Sequence, residues 1–167
     1  NAYLVMVTSD LEGVGKTFSS LNLVLSIALE QNRTVLYVDA DVLKASAGRL
    51  LGVPESAPGL IDLVNGDDFT PADVILETTV ENLRLLPAGR PDPRATELLA
   101  SDSMHKLMLE MSARYSDRVI IFDSPPLLLT TESGVLASFM GQIVFVTAAD
   151  VTPQHAVLQA LEHLGED

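Results

Sequence analysis

The chain of 167 residues is long enough to bury a core of its own, and 47% hydrophobic against 20% charged residues excludes intrinsic disorder. A formal net charge of −13 disfavours nucleic-acid backbones and anionic lipid as direct partners, because both need a basic surface. With no cysteine there is neither a disulfide framework nor a thiolate metal site, which fits a reducing compartment such as the cytoplasm.

The chain opens at Asn1, directly ahead of an apolar run, with no signal-peptide layout and no initiating Met, so it reads as an excised domain. Residues 3–7 are predicted as a fully buried strand. Gly13-Val14-Gly15-Lys16-Thr17 follows, and a helical pattern runs over 16–31, with apolar residues at Leu21, Val24, Leu25, Ala28 and Leu29. A strand that turns through glycines into a helix beginning Lys-Thr is suited to holding nucleotide phosphates. The glycines let backbone N–H groups approach phosphate oxygens, and the helix N-terminus adds the positive end of its dipole. Lys16 is placed to reach the β/γ-phosphates, and the Thr17 hydroxyl to ligate Mg²⁺. Gly13, Val14, Gly15, Lys16, Thr17 and Phe18 are therefore the expected nucleotide-binding residues. The alternative is a glycine-rich turn that only caps a helix, with Lys16 solvated. The full loop pattern has glycine where Asp10 stands, and Glu12 adds a second carboxylate. Like charges there weaken polyphosphate binding unless they face solvent.

A second strand is predicted over 34–38, ending in Asp39-Ala40-Asp41. In extended chain that spacing puts both carboxylates on one side. One can order Mg²⁺-bound water while the other accepts a proton from an attacking hydroxyl. The alternative is a solvated acidic turn in which Asp41 caps the next helix. Short helices are expected over 43–51, 60–64 and 71–76, separated by Gly52-Val53-Pro54 and Ala57-Pro58-Gly59. A brief strand over 83–86 closes at Pro87-Ala88-Gly89, and 95–115 is predicted mainly helical. A strand over 118–122 then delivers Asp123 at its tip. That is the Walker B arrangement, in which the carboxylate holds Mg²⁺ directly or through water. Its alternative is an aspartate capping the turn before Pro125-Pro126. A helix over 132–139, a strand over 142–146 and a helix over 152–164 with Pro153 in its first turn complete the pattern.

Apolar strands alternating with helices imply an α/β fold, a mostly parallel central sheet with helices on both faces in three α/β/α layers. With the glycine loop this is a P-loop NTPase fold, expected to occupy 1–167 as one domain. Ligands bind beyond the carboxyl ends of such strands, where the loop, Asp39/Asp41 and Asp123 converge. By fold analogy residues 147–153 are the expected wall of a base pocket.

These motifs resemble the cytoplasmic kinase domain of bacterial tyrosine kinases, which use a P-loop ATPase fold rather than the eukaryotic protein-kinase fold. The resemblance covers nearly the whole chain. It runs from Val5-Met6-Val7-Thr8-Ser9 through Gly15-Lys16-Thr17-Phe18 to Leu36-Tyr37-Val38-Asp39-Ala40-Asp41 and Leu85-Leu86-Pro87-Ala88-Gly89. It continues in Ala95-Thr96-Glu97-Leu98-Leu99 and Ile120-Ile121-Phe122-Asp123-Ser124-Pro125-Pro126-Leu127-Leu128. The wording is nearest to the exosortase-associated autokinases of exopolysaccharide gene clusters. The resemblance implies ATP/ADP and Mg²⁺ as cofactors and a tyrosine hydroxyl as phosphoryl acceptor. It implies Lys16, Asp39 and Asp41 as catalytic residues, the two aspartates forming the motif called Walker A′. Thr17, Asp39 and Asp123 are the implied metal ligands.

The implied partners are a protein tyrosine, including another copy in trans, a homo-oligomeric assembly, and a membrane-embedded chain-length-determinant-type activator that would hold a cytoplasmic domain at the inner face of the membrane. Lys44 stands where the family has arginine, and Glu12 where it has proline. The family's N-terminal helix and tyrosine-rich C-terminal tail are absent from the 167 residues, so little autophosphorylation is expected of them alone. Partition and division-site ATPases share the fold, but their signature lysine is replaced by Leu11. A dinucleotide-binding Rossmann domain needs a third glycine where Phe18 stands. A catalytically weak, nucleotide-sensing switch is the alternative that Asp10 and Glu12 motivate.

Overall fold

The computed structural model describes residues 3–30 and 33–164. In chain order the elements are β1 (Leu4–Ser9), α1 (Lys16–Ala28), β2 (Thr34–Asp39), α2 (Ser46–Leu50), α3 (Leu60–Asn65), α4 (Pro71–Val74) and β3 (Leu76–Glu77). They continue with β4 (Leu83–Leu86), α5 (Ala95–Leu99), α6 (Asp102–Arg114), β5 (Arg118–Asp123), α7 (Glu132–Ala137), β6 (Gln142–Val146) and α8 (Gln154–Glu162). The strands form one six-stranded sheet in the order β3-β4-β2-β5-β1-β6. Every neighbouring pair is parallel except β3–β4, which is antiparallel at one edge.

Successive side chains on a strand point to opposite faces, and here both faces are covered. Leu4, Met6, Leu36, Val38, Ile120 and Phe122 face one core, completed by Leu60, Leu99, Met104, Met108 and Leu136 from α3, α5, α6 and α7. Val5, Val7, Val35, Tyr37 and Ile121 face the other, where Val24 and Ala28 of α1 and Ala47 of α2 meet them. Double-sided burial is why these strands read as uninterrupted apolar runs. Each fully buried large side chain contributes roughly 1.5–3 kcal/mol, so the central strands anchor whatever their tips carry. At the other edge β6 leaves Ile143 and Val144 partly exposed.

Boundaries differ from the sequence reading in instructive ways. β1 runs on to Ser9, and β2 and β5 each include their terminal aspartate, because pairing between neighbouring strands continues to those residues. The 95–115 helix is two helices. Ser101 adopts extended backbone and its hydroxyl accepts the Met104 N–H at 3.2 Å, so it caps α6 and breaks the run. α2 starts only at Ser46, because Ala45 takes a left-handed conformation with φ 46°. Pro71 opens a four-residue helix rather than a six-residue one, and Leu76 leaves it to pair with Leu85. Pro153 precedes α8 in extended conformation instead of sitting inside its first turn. The predicted polar end of α1 at Gln31-Asn32 lies outside the described residues.

The start of α3 docks on the segment that leaves β4, through Leu60 N–H to Pro87 C=O at 2.8 Å and Ile61 N–H to Ala88 C=O at 2.9 Å. Buried Asp62 accepts the Gly59 and Arg90 backbone N–H groups at 2.8 and 3.0 Å. A Cβ at Gly59 would stand 2.2 Å from the Pro87 carbonyl oxygen. Backbone at both sides cannot yield cheaply, so Gly59→Ala is expected to cost about 3 kcal/mol, read as a lower midpoint in urea at unchanged slope. A midpoint shift no larger than that of an exposed alanine substitution would refute this close packing.

Candidate active site

β1, β2 and β5 lie side by side, with Val7 opposite Asp123 and Asp123 opposite Asp39. Parallel pairing therefore brings three chain segments to one rim: the loop after β1, the turn after β2 and the tip of β5. At that rim Gly13 and Gly15 have φ of 81° and 92°, a region other residues enter only with strain. A Cβ at either would meet nothing within 4 Å, so the space in front of the loop is open. Gly15 caps the thirteen-residue α1 without any side-chain cap, and the first turn carries no acidic residue. Its first N–H groups and its dipole are thus left for an anion.

Lys16, the first residue of α1, is 7% exposed. Its Nζ lies 2.8 Å from Asp123 Oδ1 and 3.4 Å from Asp41 Oδ2. A cation this deep is tolerable only when paired. Asp39 sits beside this pair and is completely buried. Its Oδ2 accepts the Gly48 N–H of α2 at 2.8 Å. Burial pushes the Asp39 carboxyl up to about 7; the Gly48 bond and Lys16 oppose the shift, and Asp123 and Asp41 add to it. Burial also raises the Asp41 carboxyl, against the pull of Lys16.

Asp39 Oδ1 and Asp123 Oδ2 are buried and find no hydrogen-bond partner among the described residues. Two such carboxylate oxygens fit Mg²⁺, which takes one or two carboxylates together with phosphate and water rather than a full protein cage. Among the described residues no group of three or more His, Asp or Glu side chains is placed to hold a metal ion.

A cavity of about 340 Å³ opens in front, lined by Gly13, Lys16, Thr17, Phe18 and Asp41 among others. Asp39 and Asp123 lie behind Lys16 rather than on its wall, Val14 is not on the wall, and neither are residues 147–153.

One participant carried no signal in the sequence. The Gly48 amide has no side chain to advertise it. Lys44 and Glu12 also line the cavity and form an ion pair across its mouth. Tyr37, on β2, is wholly buried, and its hydroxyl lies 2.6 Å from Ser20 Oγ on α1. Burial, and then the charge of Asp123, raise the Tyr37 phenol well above its ordinary range. Asp10, where the loop pattern expects glycine, is buried with Oδ1 unpartnered among the described residues.

A glycine loop capping α1, a buried lysine beneath it and aspartates on adjacent strand tips define the P-loop NTPase class. The profile of the AAA domain matches residues 4–161. "Tyrosine-protein kinase CpsD" of Streptococcus agalactiae is 31% identical over 96% of this chain and 69% of its own length. "Putative tyrosine-protein kinase EpsB" of Ralstonia nicotianae is 32% identical over 96% of the chain, which spans only 21% of that relative. The solved VpsO kinase domain superposes with a TM-score of 0.89 at 34% identity, covering 98% of this chain and 78% of that one. The chain belongs to the AAA-domain family and, within it, to the bacterial tyrosine kinases.

Proposed function

We propose that this domain binds Mg·ATP and transfers the γ-phosphoryl group to a tyrosine hydroxyl. The observation that carries the reading is the meeting of Lys16, Asp41 and Asp123, from three distant segments, beneath an anion-ready helix end. The backbone of residues 13–18 and Lys16 would cradle the phosphates, and Thr17, Asp39 and Asp123 would hold the metal. Mg²⁺, when bound, supplies neutralisation of the polyphosphate charge. Asp41 lies on the cavity wall, and its raised carboxyl makes it a stronger base than an ordinary aspartate, suited to take the tyrosine proton. Catalysis would rest on positioning and charge stabilisation.

The tyrosine would lie on another protein or on a second copy of this chain; Tyr37 is inaccessible, whereas Tyr3 is 49% exposed. No helix among the described residues is long and apolar enough to cross a membrane, and the net charge of −13 disfavours direct docking on anionic lipid. Placement at the inner membrane face, alongside a membrane-embedded activator in the control of exopolysaccharide polymerisation and export, is part of this reading.

The buried carboxylate of Asp10 in the loop favours a second reading, a nucleotide-operated switch that transfers nothing to tyrosine. Transfer of label from γ-labelled ATP to a tyrosine peptide separates the two. Labelled peptide supports the kinase; nucleotide binding without it supports the switch; phosphate released to water alone identifies an ATPase.

A further inference from the structure

The loop that receives phosphates carries a carboxylate, Glu12, on the cavity wall. An unpaired anion there would oppose a ligand bearing several negative charges. Lys44 meets it from the turn after β2, the two side chains each 46% exposed. Lys44 is itself held in place. Its N–H donates to Asp41 C=O at 3.0 Å, and its own C=O accepts Arg49 Nη2 at 2.7 Å. The neighbouring left-handed Ala45 also donates its N–H to Asp41 C=O, at 2.7 Å. The charged side chains on the wall are Glu12, Lys16, Asp41 and Lys44. Lys16 is engaged by Asp41 and Asp123, which leaves Lys44 as the cation opposite Glu12.

We propose that Lys44 is a positioning residue whose task is to neutralise Glu12, so that a loop carrying a carboxylate can still accept a nucleoside polyphosphate. This rests on the nucleotide reading above. It makes the ion pair a determinant of nucleotide affinity, tying the phosphate loop to the turn that carries Asp41. As a contribution to folding the pair counts for little, because both partners are half in water. Its effect falls on the ligand.

The test is a double-mutant cycle on binding of Mg²⁺ with fluorescent N-methylanthraniloyl-ADP to the whole chain. Lys44→Met is expected to weaken affinity roughly five- to tenfold, the effect of one uncompensated charge a few ångströms from a diphosphate. In a Glu12→Gln background the same change should cost less than about twofold, and Lys44→Arg should restore the parent value. The difference should shrink in about 1 M salt, where charges are screened within a few ångströms.

Equal weakening in both backgrounds would mean that Lys44 meets the phosphates itself, and would overturn the pairing. So would an unchanged affinity in Lys44→Met. A parent protein that binds no labelled ADP would overturn the nucleotide reading together with the pairing; binding without coupling would overturn the pairing alone. Thermal midpoints of all variants should stay close to that of the parent, since both side chains are half-exposed.

Discussion

Lys16→Met is expected to lower ATP-to-tyrosine transfer by about 10³-fold or more, because it removes a buried cation that would face the developing phosphoryl charge. The structure adds a second consequence. Lys16 also compensates Asp123 and Asp41, so its removal leaves two buried carboxylates without their cation. Breaking a buried pair from one side costs about 3–5 kcal/mol, less whatever protonation recovers. Loss of activity alone would therefore be ambiguous.

Lys16→Met combined with Asp123→Asn resolves it. The double variant should regain much of the lost stability in urea while transfer stays absent. Retention of transfer in either variant would remove Lys16 from the mechanism. A double variant as unstable as the single one would show that the ion pair is not what the lysine stabilises.

Asp39→Asn should separate stability from activity in the opposite direction. The asparagine oxygen can still accept the Gly48 N–H, while a buried charge with an unpartnered oxygen disappears. The fold should be unharmed or gain stability, and Mg²⁺-dependent transfer should fall by about 10²-fold or more. The sign of the pH dependence follows from burial. The folded Asp39 carboxyl is held up at about 7, so the folded chain keeps a proton that the unfolded chain has released. The group favours folding below the ordinary carboxylate range, and this contribution fades as pH rises from about 4 to about 7. Denaturation in EDTA without nucleotide should show that decline in the parent and a shallower one in Asp39→Asn, where the raised Asp41 carboxyl still contributes. An identical pH profile for both proteins would rule out Asp39 as the titrating group, and undiminished Mg²⁺-dependent transfer would rule it out as a metal ligand.

Much of the architecture is legible in local chemistry. Parallel strands buried on both faces must be apolar without interruption, and Val5–Val7, Val35–Val38 and Ile120–Phe122 announce themselves in that way. A glycine that must adopt positive φ ahead of a lysine leaves an equally local mark at Gly13 and Gly15. Capping is harder to read. Ser101 inside a continuous helical pattern could have pointed to solvent, and only its bond to Met104 N–H makes it a boundary. The two-residue β3 depends on Leu76 finding Leu85, a pairing with no signature in a stretch that short.

What the residues determine alone is which groups stand at strand ends: each position follows from periodicity and backbone preference within a few neighbours. Which of those groups share a charge depends on strand order, and that order is set by packing across the whole sheet. β5 inserts between β1 and β2, bringing Asp123 under Lys16 and turning Asp39 toward Gly48, while the turn after β2 swings Lys44 onto Glu12. Electrostatic partners are chosen by distance in space, and distance in space is what a linear chain leaves open.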